Sequence, residues 1–279
     1  MARLRAATGT RRVDPAAPLF APDSITRRIN REAVLLLGGG RALLLQLAHP
    51  LVAAGVAGHS RFEQEPLQRL WRTLERTLTI AFGSAAEALA AVRRIEGAHA
   101  RVHGTLSEAC GPFRRGTRYD ANDPALLFWV HATLVDSAVV AYQRFVAPLS
   151  AAERRRFYDE SCRSARLFGI PARCIPASEA AFRAYMHDML RGPTLTVGRD
   201  ARRIAAALLS PPLPPPLRQL AGAARLLTVG LLPSAMRRRY ALPWGPLRER
   251  SLDAAAALLR LGLPLLPAPL RAFPQARRI

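Results

Sequence analysis

The chain has 279 residues, 50% hydrophobic, 22% charged and 6% aromatic, so it can bury a substantial core and is not a disordered polymer. All 41 basic residues are Arg; against 20 acids they leave a formal net charge of +21. Uniform Arg together with abundant Ala, Leu and Pro reads as base composition rather than as a designed binding surface.

In chain order, residues 1–23 read as a flexible basic arm rich in Arg, Ala and Pro. Ser24 or Asp23 can cap a helix through Ile25, Ile29 and Ala33. Gly38-Gly39-Gly40 is expected to break it. No Lys-Ser/Thr follows these glycines and no GxGxxG is formed, so a close helix–helix corner is favoured over a phosphate loop. A second apolar helix is expected from about Arg41 to Ala57, and a third over 67–82 behind Pro66. Ser84 caps a helix over 85–103, with Ala88, Leu89, Val92, Ile95 and His99 at helical spacing, and Gly104 stops it. Asp123-Pro124 starts a strongly apolar helix to about Val146. Ser150 caps 151–168 and Ser178 opens a helix to Leu190. Residues 191–279 hold 13 of the 23 prolines and read as short helices cut by Pro. Alternating runs of strand length are nearly absent. The expected class is all-α: one large helical domain, with a catalytic-like core over 24–190 and a Pro/Arg-rich helical segment, 191–279, packed on it.

The charge lies in the flanks. Residues 32–190 are nearly balanced, with 19 Arg to 15 acids, whereas 191–279 carries 15 Arg to three acids. Arg237-Arg238-Arg239 and Arg277-Arg278 lack aromatic neighbours apart from Tyr240, which argues against a nucleic-acid face. Contact of this Arg-flanked apolar segment with an anionic membrane surface is the better use of the charge, and gives the second functional reading, a non-catalytic helical module binding lipid or a partner. Cys110, Cys162 and Cys174 have no CxxC spacing and read as reduced thiols. No apolar h-region follows the N-terminal Arg residues, and no apolar run is expected to reach the roughly 20 residues of a membrane span. The expected location is the cytoplasm, in solution or peripheral to a membrane.

Six histidines carry most of the available chemistry: His49, His59, His99, His103, His131 and His187. Four residues apart on one helix, His99 and His103 are expected to share a face, with Glu96 three residues earlier. Glu-x-x-His is the unit of ferritin-like di-iron sites, but no second copy exists here, since Phe128 and Ala184 precede His131 and His187 at that spacing. A non-haem iron site on Glu96, His99 and His103 is the third reading. His131, inside Phe128-Trp129-Val130-His131, is either a core ring bonded to a carbonyl or a pocket ring beside an apolar cofactor. Arg69 and Thr73 share a helix face beside Arg72 and can hold an anionic group; the alternative is a solvated Arg face with Glu75. No Gly-x-Ser-x-Gly elbow is present.

Several segments in order resemble one family. They are Leu47-Ala48-His49-Pro50 with His59-Ser60; Arg69-x-x-Arg72-Thr73 running to Phe82-Gly83; His99-x-x-Val102-x-Gly104; and Tyr119-x-Ala121-Asn122-Asp123-Pro124. Trp129 to Leu134, Gly169-Ile170-Pro171 and Tyr240-x-x-Pro243-Trp244 follow. From about residue 24 onward the chain resembles the MpaB/rubber-oxygenase catalytic-domain family. The resemblance implies an all-helical haem-b-dependent oxygenase that uses iron and O2 on an apolar small molecule, with isoprenoid double bonds as a substrate class. It implies His99 as the axial iron ligand with His103 as the fallback, and His131 as a further cofactor-side residue. Arg69 and Thr73 take the places of the family's distal Arg and Thr. Arg72 stands where some rubber-cleaving members have a Lys, and this chain has none.

Overall fold

Five helix starts among the described residues are set by short polar side chains. In the computed structural model, which describes residues 2–9, 14–59, 66–211 and 215–277, the side chains of Ser24, Ser84, Asp123, Ser150 and Ser178 each accept a first-turn backbone N–H. Glu87 and Glu153 complete reciprocal capping boxes. Among the described residues the α-helices are α1 (Ala2–Thr8), α2 (Ile25–Asn30), α3 (Leu36–Leu47), α4 (Pro50–His59), α5 (Pro66–Phe82), α6 (Ala85–His99), α7 (Pro124–Phe145), α8 (Ala151–Leu167), α9 (Glu179–Arg191), α10 (Arg199–Leu209), α11 (Pro215–Gly230), α12 (Ser234–Arg239), α13 (Pro246–Gly262) and α14 (Ala268–Arg271). One antiparallel hairpin, β1 (His103–Thr105) with β2 (Arg118–Asp120), joins α6 to α7. The class is all-α, as the sequence indicates.

Four local features differ from the sequence reading. First, Gly38-Gly39-Gly40 does not break the chain; α3 runs through it. The missing side chains admit neighbours on two sides. A Cβ at Gly38 would lie 3.0 Å from Ala141 Cβ on α7, and one at Gly40 would lie 2.7 Å from Thr228 Cγ2 on α11. Second, the single helix expected over 41–57 is two, with the segments Ala33–Leu47 and Pro50–His59 bent by 105°. Pro50 cannot donate into a continuing helix and is well suited to start a new one. Third, α6 ends at His99, so the expected helix over 85–103 is too long; its last four residues become a turn and the start of β1. Fourth, inside the segment expected as a loose arm, α1 buries Leu4 and Ala7 against a cluster that includes Leu19, Phe20, Leu89, Val92 and Leu167.

Helix α7 is the central element. By length and composition alone it could cross a membrane, although no run of that length was expected. Here Phe128, Trp129, Ala132, Val135, Ala141 and Phe145 are buried against protein. The tie between α7 and α3 is polar. Arg41, 3% exposed, donates from Nη2 to Asp136 Oδ2 at 2.6 Å and from Nη1 to Ser137 Oγ at 2.7 Å, both on α7. Its Nε donates to the Leu231 carbonyl at 2.9 Å, just beyond α11. One guanidinium thus joins three segments. Gln46 adds a bond to Thr133 Oγ1 at 3.0 Å, and Tyr240 donates to the Leu44 carbonyl at 2.6 Å.

The C-terminal segment closes on the same core. Buried Glu32 accepts a two-pronged pair from Arg271, both contacts at 3.0 Å, and Phe273 N–H donates to the Arg31 carbonyl. The Arg237-Arg238-Arg239 run is largely consumed internally. Arg237 stacks over Trp244 at 4.6 Å, and Arg239 donates to the carbonyls of Leu195, Arg191 and Gly192.

Removing the Arg41 guanidinium while keeping its volume leaves Asp136, Ser137 and a carbonyl without their donor. Arg41→Met is expected to destabilise the fold by about 3 kcal/mol, and Arg41→Lys by less, read as the midpoint of urea unfolding. An unchanged midpoint for Arg41→Met would contradict the role assigned to this side chain.

Candidate functional site

The site is built around the junction of α6 and α7. Helix α6 buries Ala85, Ala88, Leu89, Ala91 and Val92 in its first two turns. Beyond Val92 its residues are only half-buried or exposed, and a side chain at Gly97 would meet nothing within 4 Å. His99 is the last helical residue, half-buried, with Nδ1 turned away from solvent. The chain then turns sharply: Val102 N–H donates to the His99 carbonyl at 2.8 Å, and Ala121 N–H donates to the Val102 carbonyl at 2.9 Å. The second bond clamps the base of the hairpin and sets the end of α6 beside the start of α7. Val102 also packs on α4, where a Cβ at Gly55 would lie 3.3 Å from its Cγ1.

The hairpin is fixed to α4 by Tyr119. Its hydroxyl lies 3.3 Å from His59 Nε2, which in turn lies 3.2 Å from the His103 carbonyl oxygen. A ring protonated at Nε2 donates to that carbonyl. Gly104 lets the Tyr119 ring approach, since a Cβ there would sit 2.7 Å from its hydroxyl. Partial burial pushes the Tyr119 hydroxyl pKa up.

This geometry corrects the pairing expected for His99 and His103. The helix ends between them, so they do not share a helical face, and the His103 ring is exposed on β1. Glu96, the third member of the non-haem reading, is ion-paired with Arg3. Among the described residues no three His, Cys, Asp or Glu side chains group as metal ligands. The di-iron and mononuclear carboxylate–histidine readings therefore lose their donor set.

On α7, Leu127, His131, Leu134 and Ala138 fall on one face and are all half-buried, while flanking positions are covered. His131 keeps some accessible surface, yet protein surrounds it closely enough that burial pushes its pKa down to about 4. Its ring lies 6.3 Å from that of Phe128, whose other neighbour is Tyr185 at 5.1 Å. His49, at the end of α3, is likewise pushed down to about 4 by burial, opposed by Asp123. Both rings are neutral at physiological pH. Among the described residues, His49 Nδ1 and Trp129 Nε1 are buried polar atoms without a hydrogen-bond partner. Each such atom costs about 1–3 kcal/mol unless a ligand or water satisfies it.

Helix α5 folds back against α6 across Phe82-Gly83-Ser84. Its inner residues Leu78, Ile80 and Ala81 are buried, but Trp71 (59% exposed), Arg72 and Thr73 lie on an open surface. The helical backbone keeps Arg69 and Thr73 one turn apart; the Arg69 side chain lies outside the described residues. The α5 side of the site is thus open, and the α7 side is apolar and largely covered.

Sequence reading missed the polar tie made by Arg41; His49, Tyr119 and Trp129 stood in it as motif members without the contacts that place them. For Arg41 a signal existed: a lone Arg in one apolar helix and a lone Asp in another call for each other. For Trp129 and His49 nothing local distinguishes a satisfied nitrogen from an orphaned one.

Over residues 26–261 the chain matches the family described as ER-bound oxygenase mpaB/B'/rubber oxygenase, catalytic domain, and it belongs to that family. Two mycobacterial proteins are each 28% identical to it over 233 residues, 81% of this chain and 87% of theirs: uncharacterized protein Mb2261 of Mycobacterium bovis and uncharacterized protein Rv2237 of Mycobacterium tuberculosis. No solved structure matches the chain. At the level of the family, the chemistry is that of an oxygenase, with O2 and a small-molecule substrate.

Two buried neutral imidazoles make stability depend on pH in a definite direction. Their folded pKa values, about 4, lie below the ordinary value of 6.5. As pH falls below 6.5 the unfolded chain binds protons that the folded chain refuses, so stability is complete above 6.5 and is lost progressively toward pH 4. The double variant His49→Phe/His131→Leu is expected to show a flatter decline of melting temperature over that range. Equal slopes for variant and parent would remove the two rings as its cause.

Proposed function

We propose that the protein is a haem-b-dependent oxygenase acting with O2 on an apolar small molecule, with isoprenoid chains as the substrate class that the family resemblance favours. The observation that carries the proposal is the donor set. A half-buried imidazole, His99, ends α6 with one nitrogen directed inward, and no cluster of three ligating side chains accompanies it among the described residues. That suits a cofactor bringing its own equatorial nitrogens and asking the protein for one axial base. The half-covered α7 face and the orphaned buried nitrogens of His49 and Trp129 supply an apolar wall with polar atoms to spare.

In this reading His99 holds the iron. His131 stays neutral through burial and borders the cofactor without competing for a proton. Arg69 and Arg72, on α5, offer positive charge to the haem carboxylates. Thr73 offers a hydroxyl that donates a hydrogen bond on the open side. His103, exposed on β1, is the fallback ligand in this reading. Leu127, Leu134 and Ala138 exclude water and favour a hydrocarbon substrate. When bound, the haem supplies the oxygen chemistry that no side chain of this chain supplies.

The test is spectral. Protein reconstituted with haem is expected to show a Soret band, to lose it in His99→Ala and to keep it in His187→Ala, whose ring is exposed beside Asp188. Protein that remains colourless after haem addition overturns the proposal.

A further inference from the structure

Helix α13 is apolar on two opposite faces. One face buries Leu252 and Ala256 against a cluster that includes Phe145 and Leu231, and Leu263, just past the helix end, is buried as well. The other carries Leu247, Ala254, Leu258 and Leu261 at spacings of seven, four and three, and the three leucines are 78%, 71% and 74% exposed. A helix with one side packed on a core ordinarily turns polar residues outward. Here folding accounts for the first face only. The exposed apolar series continues along the chain through Leu265 and Leu270.

The charges around this face are of one sign once internal pairs are removed. Arg250 lies at the edge of the leucine face; Arg248 and Arg260 lie further round the helix, where each donates to a backbone carbonyl, of Pro243 and of Gln143, and keeps its charge uncompensated by any acid among the described residues. The two acids of the helix are engaged: Asp253 pairs with Arg144, and Glu249 is held by the Trp244 indole and Arg237. Long Arg side chains bordering exposed leucines can keep their heads in water or on phosphates while the leucines enter hydrocarbon.

We infer that the outer face of α13 is a docking surface for an anionic phospholipid bilayer. The leucines supply the apolar insertion, and Arg248, Arg250 and Arg260 supply the attraction to headgroup phosphates. A second copy of this chain is a poor occupant, because two such faces would set Arg against Arg between molecules that each carry +21.

The experiment is co-sedimentation of the full chain with vesicles of phosphatidylcholine alone and of equal parts phosphatidylcholine and phosphatidylglycerol. Binding is expected to the mixed vesicles and to weaken with salt. The variant Leu247→Ser/Leu258→Ser/Leu261→Ser keeps every charge and alters only exposed positions; its melting temperature should be unchanged and its affinity for mixed vesicles at least about tenfold lower. Arg248→Gln/Arg250→Gln should likewise weaken binding. The inference is overturned if the parent stays in the supernatant at low salt. It is also overturned if the leucine variant binds as tightly as the parent, which would reduce the effect to bulk positive charge. It fails equally if the leucine variant turns a dimer into a monomer without changing vesicle binding, which would make a second copy the true occupant.

Discussion

The fold depends on one buried cation above the others. Arg41 sits in one apolar helix and finds its carboxylate, a hydroxyl and a free carbonyl on two neighbouring segments. Burying a guanidinium is costly unless every donor is met, and here the geometry that meets them also fixes the register of α3 against α7. The glycines beside it follow from the same constraint. With α7 on one side and α11 on the other drawn in to Arg41, a side chain at position 38 would crowd Ala141 and the Ser137 carbonyl, and one at position 40 would displace Thr228. A motif that resembles a phosphate loop is therefore a packing device.

What the sequence made legible is what is written locally. The caps at Ser24, Ser84, Asp123, Ser150 and Ser178 announce helix starts because the competing hydrogen bond is made within one turn. Stops were harder. The end of α6 at His99 depends on Ala121, some twenty residues later, closing onto Val102. The bend at Pro50 was visible as a proline, but its angle is set by what α4 packs against, the hairpin carrying Tyr119. The triple Arg run looked like a free basic patch; Trp244 and the carbonyls of Arg191, Gly192 and Leu195 that occupy it lie far from it in sequence or in other elements.

The candidate site divides along the same line. Residue types at 69, 72, 73, 99 and 131 are readable as a pattern, and all five lie inside the 26–261 span of the family relationship. Their surroundings are tertiary. Burial alone makes His131 and His49 weak bases, and no local rule predicts which of six imidazoles will be enclosed. The orphaned nitrogens of His49 and Trp129 are visible only when all their neighbours are known.

The junction after α6 has a mechanical corollary. Just beyond His99 the chain is tied down by Val102 against Gly55 and by the backbone clamp at Ala121, and the first two turns of the helix are buried, so only the stretch around Gly97 touches little. Both ends of the helix are thus anchored, one in a packed cluster and one by the clamp, and the imidazole at its tip is carried on a fixed post rather than on a moving arm.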